Sequence, residues 1–102
     1  MELARTLVQE RLAACVNRIP GVSSVYEWQG RICETGEQLL VIKTTPECYP
    51  ALEALLKTLH PYEIPEIIAI PIVTGSSAYL AWLGTATRPA SAASTPLSVH
   101  PK

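Results

Sequence analysis

Hydrophobic residues recur at helical spacing in three parts of the chain. Apolar side chains return every three or four positions in residues 2–15, 46–60 and 77–86, so each segment is predicted to be an amphipathic helix. The first helix has no Ser, Thr, Asp or Asn ahead of it to act as a cap, and the sequence gives no reason for it to begin at residue 2.

The caps of the two later helices are easier to recognise. A hydroxyl on Thr44 or Thr45, followed by Pro46, has the pattern of a capped helix start with proline at its first position. The Thr-Gly-Ser run at residues 74–76 is expected to turn the chain and cap the last helix.

The segment between the first two helices is predicted to form strands. Residues 14–19 are a short strand closed by a turn at Pro20-Gly21, and residues 22–29 alternate in the manner of a second strand. Glycines at positions 30 and 36 are expected to bound a hairpin loop whose outgoing arm is residues 37–45.

A proline-rich turn leads into the most apolar part of the chain. Pro61 and Pro65 exclude regular helix between them. The β-branched run that follows predicts a strand over residues 66–72 with no polar face. Such a strand has to be covered on both sides.

The order of these elements predicts an α+β fold. With one strand added ahead of Met1, it becomes a ferredoxin-like split βαβ sandwich, an antiparallel sheet with helices on one face. The second apolar sheet face then has to meet another subunit. The first strand of this plan is expected to be missing from the sequence. Its place beside the outgoing hairpin arm is then expected to be filled by upstream residues, by the tail near Leu97 and Val99, or by a partner's strand.

Composition limits the classes of function. The 102 residues are expected to form one domain, residues 1–87, and a mostly disordered tail rich in Pro, Ala and Ser, residues 88–102. A net charge of −1 with scattered basic residues argues against nucleic acid. The three cysteines lack metal-finger spacing and favour a reduced, cytoplasmic protein. No apolar run reaches the roughly 20 residues that span a bilayer, so no membrane partner is expected.

Five sequence blocks carry a resemblance to a known family. In order along the chain they are RLAACVN at 11–17, YEWQG at 26–30, IKTT at 42–45, HPYEIPE at 60–66 and YLAWL at 79–83. Together they resemble the CutA divalent-cation tolerance proteins from the first helix to Leu83. The resemblance implies a cytoplasmic ferredoxin-like trimer associated with tolerance to copper and other divalent ions.

The resemblance also shows two departures. Members of that family begin with a strand that carries a cysteine implicated in copper binding, and this chain has no such segment. Where some members have two consecutive histidines, this chain has Leu59 and His60, so that only His60 carries over, together with Glu66.

One imidazole and two carboxylates therefore form the candidate metal site. His60, Glu63 and Glu66 are ligand types that suit Cu(II) or another divalent cation, which is not expected to be essential for folding. The alternative is that His60 lies at a helix C-terminus while both acids are solvated or paired.

A second set of candidates would line a cleft between subunits: Tyr26, Trp28, Lys43, Tyr79 and Trp82. The aromatic residues are equally consistent with interface packing. The leading hypothesis is a trimeric metal-binding or metal-response protein. The alternative is a sensor of PII-like architecture with a small molecule beside Lys43 and Glu66. The sequence shows no catalytic constellation, and an enzyme is not expected.

Overall fold

The computed structural model describes residues 2–59 and 66–88, and the predicted tail beyond Arg88 and the turn at 60–65 lie outside them. The described residues form an α+β fold with one two-stranded antiparallel sheet and three helices. In chain order the elements are α1 (Leu3–Gln9), β1 (Cys15–Trp28), β2 (Arg31–Lys43), α2 (Tyr49–Leu59) and α3 (Ser77–Ala86).

The predicted hairpin is present, but its turn is shorter than expected. Trp28 pairs with Arg31 across a two-residue loop, Gln29-Gly30, in which both residues have positive φ, 52° and 79°. Two positive φ values give the loop a twist that matches the two strands. Gly36 was predicted to belong to this loop, and that is wrong, because it lies inside β2 opposite Ser23.

A second correction concerns Pro20 and Gly21. They were predicted to end one strand, yet β1 runs through them without a break. The pairing shifts by one residue between Ile19 and Val22, and Gly21 has a φ of 77°. Such an extra residue on one strand is a β-bulge, which glycine accommodates because it has no Cβ.

The two hairpin glycines allow a matched test of the turn. At Gly30 the positive φ makes an L side chain costly, so Gly30→Ala is expected to lower the free energy of unfolding by about 1–2 kcal/mol. Gly36→Ala introduces the same methyl group where φ is ordinary and nothing lies within 4 Å, and should stabilise by about 0.4–1 kcal/mol. Urea unfolding measures both, and equal effects would contradict the assigned turn.

The first helix is shorter than the predicted 2–15. It ends at Gln9, and Arg11 follows with a φ of 60°, a left-handed conformation that terminates the helix. The missing cap is supplied by Glu2, whose carboxylate accepts a hydrogen bond from the Arg5 amide at 3.1 Å. The sequence pattern overlooked this cap because Glu is not a usual capping residue.

The two later helices differ in how well their starts were predicted. Neither threonine caps α2: residues 46–48 form a turn and the helix begins at Tyr49. The Thr44 hydroxyl instead donates to the Leu12 carbonyl oxygen at 2.6 Å. The predicted start of α3 is confirmed, because the Ser76 hydroxyl accepts from the Tyr79 amide at 3.3 Å.

The core lies where α1, α2 and the end of β2 meet. It is formed by Leu7, Leu12, Ala13, Ile42, Leu52 and Leu56. Apolar burial of about 25 cal/mol per Å² makes this cluster the main source of stability in the described part of the chain.

The strand predicted over residues 66–72 is absent. Residues 66–76 carry neither helix nor strand, and no ladder joins residues 66–72 to β2, whose residues 39–43 pair with β1. A strand requires a hydrogen-bonded neighbour, and the described ranges place none beside this segment. Ile67 packs against the core, whereas Ile68 and Ile70 are exposed. The additional strand expected ahead of α1 stays a prediction.

Candidate functional site

Only one of the three candidate metal ligands lies within the described residues. Glu66 is exposed at the start of the segment that leads to α3. His60 and Glu63 fall in the range 60–65, outside the description. Among residues 2–59 and 66–88 no group of three His, Cys, Asp or Glu side chains is close enough to hold a metal ion.

The cleft candidates on the hairpin lie at opposite ends of it. Tyr26 pairs with Cys33 near the turn, whereas Lys43 pairs with Cys15 at the base. At about 3.3 Å per residue, the strand from Cys15 to Tyr26 spans about 35 Å. Trp28 lies still closer to the turn, and Lys43 donates its Nζ hydrogen bond to Asn17 Oδ1. These side chains therefore do not share a cleft within one chain.

The remaining two aromatic candidates lie on α3. Tyr79 and Trp82 are one turn apart, with ring centroids 5.5 Å apart and planes tilted by 42°. Both rings are partly exposed. The five candidates thus occupy the hairpin turn, the hairpin base and α3, and only contacts between copies could bring the first two together.

A cavity that the sequence did not indicate opens beside the start of α2. It has a volume of about 290 Å³ and is lined by residues 44–46, by Tyr49 and Pro50, and by residues 69–71. Most of this lining is apolar. The only sequence signal for it is the pair of segments TTP and AIP, which lie far apart along the chain and meet only in the fold.

Two polar groups border this cavity. The Thr45 hydroxyl is buried and has no hydrogen-bond partner among the described residues. The pKa of the Tyr49 phenol is raised, first by desolvation and then by the Glu53 carboxylate. Glu53 in turn is paired with Lys57, which lowers the pKa of the carboxyl group.

Comparison with known proteins identifies the family. The family described as CutA1 divalent ion tolerance protein matches residues 1–86. The chain belongs to this family. The divalent-cation tolerance protein CutA of Thermus thermophilus is 53% identical over 81 residues, which cover 79% of each chain. Its solved structure has a TM-score of 0.81 at 52% identity, covering 83% of this chain and 82% of that one.

Two further CutA relatives extend the comparison. The mouse protein CutA is 46% identical over 96 residues, covering 94% of this chain but only 54% of the mouse protein. The chain therefore spans about half of the length of that relative. The structure titled PII-like protein CutA from Nostoc sp. PCC 7120 in apo form has a TM-score of 0.80 at 34% identity, covering 84% of both chains.

The described helices are all too short or too polar to cross a bilayer.

Proposed function

We propose that this chain forms a cytoplasmic homotrimer of ferredoxin-like fold that binds divalent cations, Cu(II) in particular, and acts in metal tolerance without catalysing a reaction. The single observation that carries the proposal is the family match over residues 1–86, to proteins named for divalent-ion tolerance. The remaining support comes from exposed apolar surface and from the ligand types near the end of α2.

The trimer is supported by the side chains that one copy leaves exposed on the hairpin. Val25 is 66% exposed and Ile32 is 77% exposed on strands that lie next to each other in the sheet. Burying such a side chain stabilises by about 1.5–3 kcal/mol, so a partner copy over the hairpin gains substantial free energy. Tyr26 and Trp28 lie on the opposite face of the hairpin, where their side chains are also exposed.

The metal site is proposed at His60, Glu63 and Glu66. A neutral imidazole and carboxylates suit Cu(II), which heads the divalent affinity series for such ligands. Glu66 is exposed, so its carboxylate is accessible to a ligand. Because these residues are few and close in sequence, a modest affinity is expected.

Titration calorimetry of Cu(II) on the full chain tests this site. His60→Ala and Glu66→Gln should each weaken binding several-fold, since each removes a ligand. The matched control is His100→Ala, which removes the other histidine of the chain and should leave the titration unchanged. Light scattering of the same samples should return trimers throughout.

Two results would contradict the proposal. Titrations of the His60→Ala and Glu66→Gln chains that match the parent would reject these ligands, and a stable monomer at micromolar concentration would reject the assembly.

A second function is favoured by one specific comparison. The Nostoc relative is titled a PII-like protein, and PII-like architecture suggests a small-molecule ligand between subunits. In such a trimer Lys43, at the hairpin base of one copy, is the candidate contact for an anionic ligand. A panel of small metabolites titrated in the same calorimeter discriminates the two functions, because Lys43→Gln would weaken metabolite binding and leave Cu(II) binding intact.

A further inference from the structure

The hairpin of β1 and β2 is anchored to the rest of the molecule on one side of its bulge. Ile42 belongs to the core cluster, and Val16 and Leu40 pack against that cluster. Just before the bulge, Arg18 forms an ion pair with the carboxylate of Glu2, the residue that caps α1. This part of the hairpin is therefore fixed to the helices, mainly by apolar packing.

Residues 22–37, the distal hairpin, lie on the other side of the bulge. Val25 and Ile32 are exposed on one face of it, and Tyr26 and Trp28 are exposed on the other. Successive side chains of a strand point to opposite faces, so these exposures show that the distal hairpin projects into solvent. At about 3.3 Å per residue, it extends about 20 Å from residue 22 to residue 28.

The distal hairpin is held together as one unit. Its ladder pairs residues 22–28 with residues 31–37 without a register shift. Neighbouring serines on β1 point to opposite faces, and on each face a serine hydroxyl donates a hydrogen bond across the strands to a glutamate carboxylate. These bonds run from Ser23 to Glu34 at 3.3 Å and from Ser24 to Glu37 at 2.9 Å.

The bulge interrupts the ladder at the point where the anchored part ends. Residues 20 and 21 of β1 stand opposite the single residue 38 of β2, so one residue has no regular ladder partner. Pro20 has no N–H to donate and fixes its own φ, whereas Gly21 has no Cβ to restrict its dihedral angles. Bending of the hairpin is therefore concentrated at Gly21.

We propose that Gly21 is a hinge about which the distal hairpin pivots as one unit on the anchored part of the molecule. Hinges are short segments, often of small residues, that absorb changes in φ and ψ while the elements on both sides stay rigid. Because the distal hairpin is about 20 Å long, a small rotation at the bulge displaces its turn by several ångströms. The exposed side chains near the turn can thereby meet a binding surface over a range of directions. This inference does not depend on metal binding.

Residual dipolar couplings of the backbone amides test the hinge in the full-length chain, because they respond to hinge motions in the microsecond to millisecond range. The chain carries Val25→Thr and Ile32→Thr, which keep β-branched side chains but remove apolar contacts through which another copy could hold the distal hairpin. The order parameter of residues 22–37 relative to residues 39–43 is expected to be below about 0.6, the range of flexible elements. A higher value would overturn the proposal, since rigid backbone gives about 0.85.

Removing the bulge provides the matched comparison. Deletion of Gly21 together with Pro20→Val leaves one residue opposite residue 38, which restores a regular ladder and keeps every other side chain of the hairpin on its face. In this chain the order parameter of the distal hairpin should rise to about 0.85. Gly36→Ala, made in the chain that keeps the bulge, changes a glycine within the distal hairpin and should leave the low value unchanged. Equal order parameters with and without the bulge would contradict the hinge.

Discussion

Replacing Leu52 by Ala is expected to lower the free energy of unfolding by about 2–5 kcal/mol. Leu52 lies on α2, is 2% exposed and packs in the core formed by α1, α2 and the end of β2. The loss has two parts. The variant buries fewer methyl groups on folding, and the space that they filled remains as a cavity in the core. Urea unfolding at fixed protein concentration measures it.

Leu59→Ala provides the matched control for this change. Leu59 lies on the same helix, so the change in helix propensity is similar, but it is 53% exposed. Its replacement should cost less than about 1 kcal/mol, in the range of surface substitutions. Equal losses for the two leucines would contradict the assignment of the α2 face that packs on the core.

Elements governed by local chemistry could be predicted from the sequence. Three helices follow from apolar spacing, and the cap of α3 follows from Ser76. A helix and its cap depend on residues within one or two turns of each other, which a sequence pattern shows directly. The ends of α1 were harder, because Arg11 adopts a left-handed conformation that no local rule requires of an arginine.

Elements that depend on long-range pairing were predicted less well. Pro20-Gly21 and Gly36 both have the local pattern of turns, yet both lie inside strands. Which glycine becomes the turn depends on the register of the whole hairpin, and register depends on the partner strand. The same reason applies to residues 66–72, whose composition is that of a strand but which have no hydrogen-bonded partner strand in the described ranges.

The candidate site shows the difference between residue type and placement. The residue types expected of a binding cleft are present in Tyr26, Trp28 and Lys43. However, the two aromatic residues lie near the hairpin turn, and Lys43 lies at its base. Conversely, the cavity beside Tyr49 is built from residues that carry no motif. Its walls come from positions some 25 residues apart in the chain, and contacts of that kind are set by tertiary packing.

The end of β2 explains how these parts are held together. Thr44 follows β2 directly, and its hydroxyl donates a hydrogen bond to the Leu12 carbonyl oxygen. This bond connects the loop after α1 to the first residue of the cavity lining. Thr44→Val keeps the shape of the side chain but removes the donor. Because Thr44 is 2% exposed, the carbonyl oxygen loses a partner that water does not replace, and the free energy of unfolding should fall by about 1–3 kcal/mol.

Two companion variants make the Thr44 result specific to the hydrogen bond. Thr44→Ser keeps the hydroxyl and should retain most of the stability that Thr44→Val loses, whereas Thr35→Val makes the same replacement at an exposed position of β2 and should change stability by less than about 0.5 kcal/mol. Urea unfolding of the four chains is the measurement. If Thr44→Ser were as destabilised as Thr44→Val, the lost methyl packing and not the hydrogen bond to Leu12 would hold this connection in place.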